Sequence, residues 1–232
     1  MNSLTELYDR LTDRLRAAGD WVAPLGLRLL LAWEFYNAGT MKAGIDGTPG
    51  WFANKAFPAP FDWLSAGMNW TMVTWTEILA GLALMLGLFT RFFAFSLVVV
   101  TTIAIVSTHW PESWTSLGQL WEGYSVSRVE GDDGSFRGNF RIPALFLAML
   151  LPLVFMGGGK LSLDHLILKL SQRSDLIHDR KGDFVALSLA LFVPGVVFLY
   201  LIPLWGIVLL ALVCLVSPLF AHRDCRSPTN SG

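Results

Sequence analysis

The sequence predicts an all-α integral membrane protein, and three observations point to that class. Hydrophobic residues make up 53% of the 232 and charged residues only 15%, against about 25% charged in an ordinary soluble domain. The apolar residues gather into runs close to the roughly 20 residues that a spanning helix needs. Three charged side chains, Arg28, Glu34 and Glu77, nevertheless fall inside those runs. Charge in a bilayer core costs about 2.5–3.5 kcal/mol per residue on insertion scales, so it persists where it is paired, water-facing or functional.

The first span is expected over Trp21–Thr40, the second over Thr71–Phe89, the third over Phe92–Trp110 and the fourth over Ile142–Met156. Before them, Leu4, Leu7, Tyr8, Leu11 and Leu15 recur at helical spacing among Arg10, Asp13 and Arg14. That pattern suggests an amphipathic helix on the membrane surface over residues 1–20. No signal peptide is expected there, because no apolar h-region follows a basic start. Phe184 to Phe220 is apolar for 37 residues, interrupted by Pro194 and Pro203. At 1.5 Å per residue this run is about 55 Å long, too long for one pass. It predicts a C-terminal membrane hairpin over 184–221 turning near Ile202 and Pro203, or else a re-entrant pair. A linker over 169–183 and a disordered tail over 222–232 complete the organisation around a membrane domain at 21–168.

Six spans with both termini in the cytoplasm place eleven Lys and Arg residues on the inner side and five on the outer. That asymmetry satisfies the positive-inside rule. Trp51, Trp63, Trp70, Trp110, Trp114 and Trp121 fall at or beyond the outer ends, where aromatic belts form. The segment from Trp51 to Trp70 is too polar and too rich in proline to span, and is expected to lie along the outer interface. A net charge of −1 argues against nucleic acid as a partner, which requires a basic patch. Cys214 and Cys225 lack metal or redox spacing, so a buried thiol and a tail thiol are expected, with no metal site. His165, His178 and His222 lie beside charged loop residues and are expected to be solvated.

Helix rise puts Glu34 about 20 Å from the inner end of its span and Glu77 about 9 Å from the outer end of its own. Both carboxylates therefore come to a similar depth. Arg28 and Lys42 are fourteen residues apart, about four turns, and share a helix face. One outward polar pocket accommodates them all: Arg28 at the floor, Glu34 and Glu77 in the wall, Lys42 and His109 at the mouth. In that pocket Arg28, Glu77 and His109 are the candidate catalytic residues, and Lys42 and Glu34 the candidate substrate- or anion-binding ones. The competing account makes Arg28 and Glu77 an ion pair that fixes helix packing, Lys42 a snorkelling side chain and His109 an interfacial residue. Ala80, Gly81, Ala83 and Gly87 suit close helix approach. Gly157-Gly158-Gly159 suits a helix stop, since no GKS or GKT follows.

Several of these residues recur in a known pattern. Arg28, Gly39, Lys42 and Trp51-Phe52, then Glu77, Gly81 and Leu86-Gly87-Leu88-Phe89-Thr90-Arg91, resemble the first two spans of the DoxX family. His109-Trp110, Gly138-Asn139-Phe140 and Gly157-Gly158-Gly159 before Leu161-Ser162-Leu163-Asp164 resemble a DoxX subgroup that accompanies metal-stress and peptide-maturation gene clusters. The similarity spans residues 22–168. It implies a four-helix bundle in the bacterial inner membrane and a role beside quinone-linked redox chemistry of the thiosulfate:quinone oxidoreductase type. Quinone would be the electron carrier, with no covalently bound cofactor. The bilayer, a partner subunit or further copies of the chain would be the partners. Glu34 matches no family position, and Arg141 stands where the subgroup carries an acid. The hairpin lies outside the shared core. A small transporter or ion pathway, and a non-catalytic scaffold, are the alternative functions.

Overall fold

A computed structural model describes residues 3–125, 129–131, 134–172 and 184–216. Arg128, Asp132 and Asp133, most of the linker with His178, and the tail with His222 and Cys225 lie outside those residues. The described chain is mostly helical: α1 (Ser3–Ala43), α2 (Gly50–Ala53), α3 (Ala66–Leu86), α4 (Thr90–Ala104), α5 (Leu117–Glu122), α6 (Arg141–Met156), α7 (Leu163–Leu170), α8 (Phe184–Leu201) and α9 (Pro203–Val216). One π-helical turn, Ile105–His109, extends α4. Two compact units result, Met1–Ile177 and His178–Gly232.

In the first unit α1 packs on α3 and α6, and α4 packs on the same two helices. Leu31, Ala32, Phe35, Ala80, Leu84, Ala94, Leu97, Val98, Leu150 and Leu153 form the buried core. Phe35 meets Phe146 of α6 with ring centroids 5.5 Å apart. Helices α1 and α3 run antiparallel, as their glycines show. A Cβ on Gly39 would lie 2.9 Å from Ile78 N, and one on Gly81 would lie 2.9 Å from Tyr36 N. Backbone touches helix at both points, so no larger side chain fits without moving α1 off α3.

Three boundaries differ from expectation. Helix α1 runs unbroken through the expected surface helix and first span for 41 residues, about 60 Å. Pro24 lies inside it and has no N–H to give the carbonyl four residues back. That carbonyl, Asp20 O, instead accepts Lys160 N at 3.3 Å, so the break is repaired from outside the helix. Helix α3 starts at Ala66, five residues before the expected second span, because Ser65 accepts the Met68 N–H as an N-cap. The loop before α6 holds a two-stranded antiparallel ribbon, Val129–Glu130 with Phe136–Gly138, where an all-α class anticipated no strand. Its purpose is local, as the polar stitch it makes to His109 shows below.

The stretch Thr90–His109, 20 residues with mean hydropathy 1.9, is long and apolar enough to cross a membrane by itself. Arg141–Met156, Leu187–Leu201 and Pro203–Leu215 are apolar but shorter. In the second unit α8 and α9 meet at Ile202 and pack on each other. Cys214 is exposed on α9, not buried as expected. That helix is apolar all round, so no one face selects the thiol for the inside.

The close approach of α1 and α3 gives a direct test. Gly81→Val is expected to lower stability in detergent by about 1–3 kcal/mol, the usual cost of overpacking. An unchanged unfolding midpoint would show that the two helices do not rely on that contact.

Candidate functional site

The polar residues of the expected spans separate into three clusters, two of them at opposite ends of the α1–α3 contact. At the end nearer the α3–α4 turn lies Arg28, 1% exposed. Its Nη2 donates to Leu161 O at 2.5 Å and its Nη1 to Leu84 O at 3.5 Å. Asp164 is near enough to act on the guanidinium electrostatically. The same carboxylate accepts Phe89 N–H at 2.7 Å and Thr90 N–H at 2.8 Å, capping the start of α4. An acid there also complements the positive end of the helix. Asp164 N donates in turn to Gly87 O at 2.9 Å. Gly87 has φ +67°, and a Cβ on it would lie 1.8 Å from Arg28 Nη1, so the turn admits only glycine beside the buried cation. Arg28 thus ties α1 to the α3–α4 turn and to the loop before α7.

Farther along α1, Lys42 Nζ lies 2.6 Å from Glu77 Oε2. It also donates to Ala38 O at 3.5 Å, in the last turn of its own helix, where a cation is favoured. The Glu77 side chain is 8% exposed and that of Lys42 is 24% exposed, so the pair sits between helices yet is open on the lysine side. Fourteen residues of helix separate Lys42 from Arg28, about 21 Å of rise. The Arg28–Glu77 ion pair of the competing account therefore does not form, and the two residues do not meet in one pocket either. Glu77 takes Lys42 in its place, because the antiparallel register sets Gly39 against residues 77 and 78.

Glu34 is exposed, beside exposed Trp33. It lies about 100° round the helix from the centre of the stripe formed by Arg28, Leu31, Ala32, Phe35 and Gly39. Depth alone placed it in the pocket wall, whereas its helical phase turns it away. His109 makes a third cluster. Its Nδ1 hydrogen-bonds Asn139 Oδ1 at 2.7 Å, and its carbonyl accepts Asn139 N at 3.0 Å. These two hydrogen bonds fasten the end of the ribbon to the π-turn. Among the described residues His109 has no hydrogen bond to Lys42 or Glu77. Of the five residues expected in one pocket, the fold joins only Lys42 and Glu77. A surface cavity of about 360 Å³ exists beside α2, lined by Lys55, Phe57 and Asp62 among others, and none of the five lines it.

Asp164 and Asn139 are the partners of Arg28 and His109 that residue-by-residue reading missed. Both are loop residues, invisible to a search for charge inside apolar runs. The recurring motifs Gly138-Asn139-Phe140 and Leu161-Ser162-Leu163-Asp164 were the signal that they matter.

The fold is a packed helical bundle that holds a cation at each end of the α1–α3 contact, with one stretch, Thr90–His109, long and apolar enough to cross a membrane. The DoxX family matches residues 23–110. An uncharacterized protein of Haemophilus influenzae is 34% identical over 158 residues, covering 67% of this chain and 90% of that protein. The chain belongs to the DoxX family. No solved structure matches it significantly.

Two stability predictions follow from the two clusters. Lys42→Met leaves a carboxylate unpaired between helices and is expected to cost about 2–4 kcal/mol, while Lys42→Met with Glu77→Leu recovers most of that loss. Denaturation of the three proteins in one detergent checks it, and additive losses would contradict a coupled pair. Asp164→Ala removes the cap of α4 and is expected to cost about 1–2 kcal/mol. Hydrogen exchange at Phe89 and Thr90 should rise with it, and unchanged exchange there would remove Asp164 from that role.

Proposed function

We propose that this DoxX-family chain is a multi-pass protein of the bacterial inner membrane, a subunit or accessory of a quinone-linked redox pathway. In this reading α1, α3, α4 and α6 cross the bilayer as one bundle, α8 and α9 insert as a hairpin, and both termini are cytoplasmic. The Lys42–Glu77 pair carries the reading. A buried ion pair is a poor way to gain stability, since well-packed apolar residues of similar volume serve as well or better. Its lysine is partly open, so the ammonium can offer a hydrogen bond to an entering acceptor oxygen. A quinone carbonyl is such an acceptor.

The chemistry balances as follows. Two thiosulfate ions join through a new S–S bond and release two electrons, and a quinone takes up those electrons with two protons to become the quinol. Lys42 would hold one quinone oxygen as negative charge develops there. Glu77 would pass protons to it and recover them from the solvent side. Arg28 and His109 take no part in this step, since each is engaged elsewhere.

A second reading, a scaffold for a partner complex, has its own support in Arg28. Both of its terminal nitrogens donate to backbone carbonyls, which is how a structural tie uses an arginine. One experiment separates these readings and the transport alternative. Protein in nanodiscs is given a soluble quinone and thiosulfate, with and without the co-purifying subunits. Thiosulfate-dependent quinol formation that falls about 10²-fold or more in Glu77→Gln, with the complex still assembled, is the expected result. Full activity in Glu77→Gln would remove that carboxylate from the chemistry. Anion flux across proteoliposomes without any redox change would establish transport instead, and loss of assembly without measurable turnover of the wild type would establish the scaffold.

A further inference from the structure

We propose that the first half of α1 pairs in parallel with the same segment of a second copy of the chain, as a short coiled coil outside the bilayer. Tyr8, Leu11, Leu15, Ala18 and Val22 follow one another at intervals of three, four, three and four residues. That is the a/d spacing of a two-stranded seam, and Leu4 extends the same register in sequence. Tyr8 is 69%, Leu11 54%, Leu15 62% and Val22 69% exposed. The stripe lies on the side of α1 away from Pro24, Arg28, Leu31 and Phe35, so the packing of the first unit leaves it uncovered.

The charges of this segment sit where a coiled coil tolerates them. Glu6 pairs with Arg10 at 3.7 Å and Asp13 with Arg16 at 3.7 Å, all on outward positions of the heptad. Thr5, Leu7, Thr12 and Gly19 stand beside the seam, so no charge repulsion opposes pairing across it, and Arg14 is the one charge there. An anionic membrane surface is the rival occupant, and the composition opposes it. A surface-seeking helix carries an excess of Lys and Arg on its polar face. Residues 3–20 hold four acidic side chains, Glu6, Asp9, Asp13 and Asp20, against three arginines.

Geometry favours the second copy too. Helix α1 is unbroken from Ser3 to Ala43, so the seam continues the segment that enters the bilayer. Lys160 holds it at the junction, through its N–H on Asp20 O and through its ammonium 3.6 Å from the Asp20 carboxylate. Two copies inserted in one membrane share an orientation, so their α1 helices can meet only in parallel. Three heptads are marginal for free peptides. Anchoring in a common membrane raises the effective concentration and offsets that deficit. The inference uses only the membrane placement of the second half of α1, and is independent of the quinone chemistry.

Disulfide trapping of the full chain in native membranes tests it. In a background of Cys214→Ser and Cys225→Ser, Leu11→Cys on the seam and Asp13→Cys on the outward face are oxidised side by side. At least tenfold more linked dimer from Leu11→Cys is expected, and Leu15→Asp in the same chain should reduce that yield about tenfold. Equal linkage at the two positions would overturn the proposal. So would protection of residue 11 by lipid, read as quenching of a label there by brominated lipids, which would place the segment flat on the bilayer. Single-molecule photobleaching in lipid vesicles serves as the check free of cysteine chemistry: two steps in the wild type and one in Leu11→Asp/Leu15→Asp support pairing, and one step in both refutes it.

Discussion

The first unit encloses one cation, Arg28, and the chain around it is arranged to supply that cation with acceptors. A buried charge without partners costs many kcal/mol, so the surrounding chain must supply acceptors. For Arg28 the acceptors are backbone carbonyls from two separate segments, Leu84 O and Leu161 O. Those carbonyls are available because both segments leave helical geometry close by, at Gly87 and in the loop from Gly157 to Ser162. The cation therefore dictates the shape of two turns. Asp164 then does double service, offsetting the guanidinium charge and closing the N-terminus of α4. A single arginine thus organises the meeting point of α1, α3, α4 and α7.

The opposite end of the same helix pair is arranged on other terms. Gly39 and Gly81 let α1 and α3 touch through their backbones. That contact brings the end of α1 close enough to α3 for a lysine and a glutamate to meet at 2.6 Å. Two glycines in helices weaken each helix by close to 1 kcal/mol apiece. Leucines at 42 and 77 would need no such approach and would expose no charge. The sequence keeps the costlier arrangement on both counts, a local conflict of the kind that the proposed function assigns to a site.

Much of the fold was legible because hydrophobic runs and proline positions are strong local signals. The helices over the expected third and fourth spans, the helix stop at Gly157 and the break at Ile202 all fall where residue types change character. What was not legible came from phase and from distant partners. Glu34 was assigned by its depth along the helix, but a side chain's direction depends on rotation at 100° per residue, and that turns it outward. The pairing of Glu77 with Lys42 instead of Arg28 depends on the register between α1 and α3, which glycine contacts set and composition does not reveal. Asp164 and Asn139 act across 74 and 30 residues of chain, beyond the reach of any periodicity. The end of the expected surface helix at residue 20 failed for a similar reason. The helix runs on past Pro24, and Lys160 N–H, 140 residues away in the chain, donates to the Asp20 carbonyl that the proline cannot serve.

The two charged clusters differ in one chemical respect that separates structure from function. Arg28 is 1% exposed and its partners include carbonyl oxygens that cannot trade a proton, so its state is fixed once the protein has folded. Lys42 is partly exposed and its partner is a carboxylate, a group that can gain or lose a proton and can release the lysine to another acceptor. Of the two, the Lys42–Glu77 contact is the one open on one side, and exchanging its partner breaks no backbone hydrogen bond between segments. A tie that must never open has been placed at one end of the helix pair, and a contact that can be exchanged at the other. About 21 Å of helix rise separates them, so a change of partner at Lys42 would leave the backbone bonds of Arg28 in place.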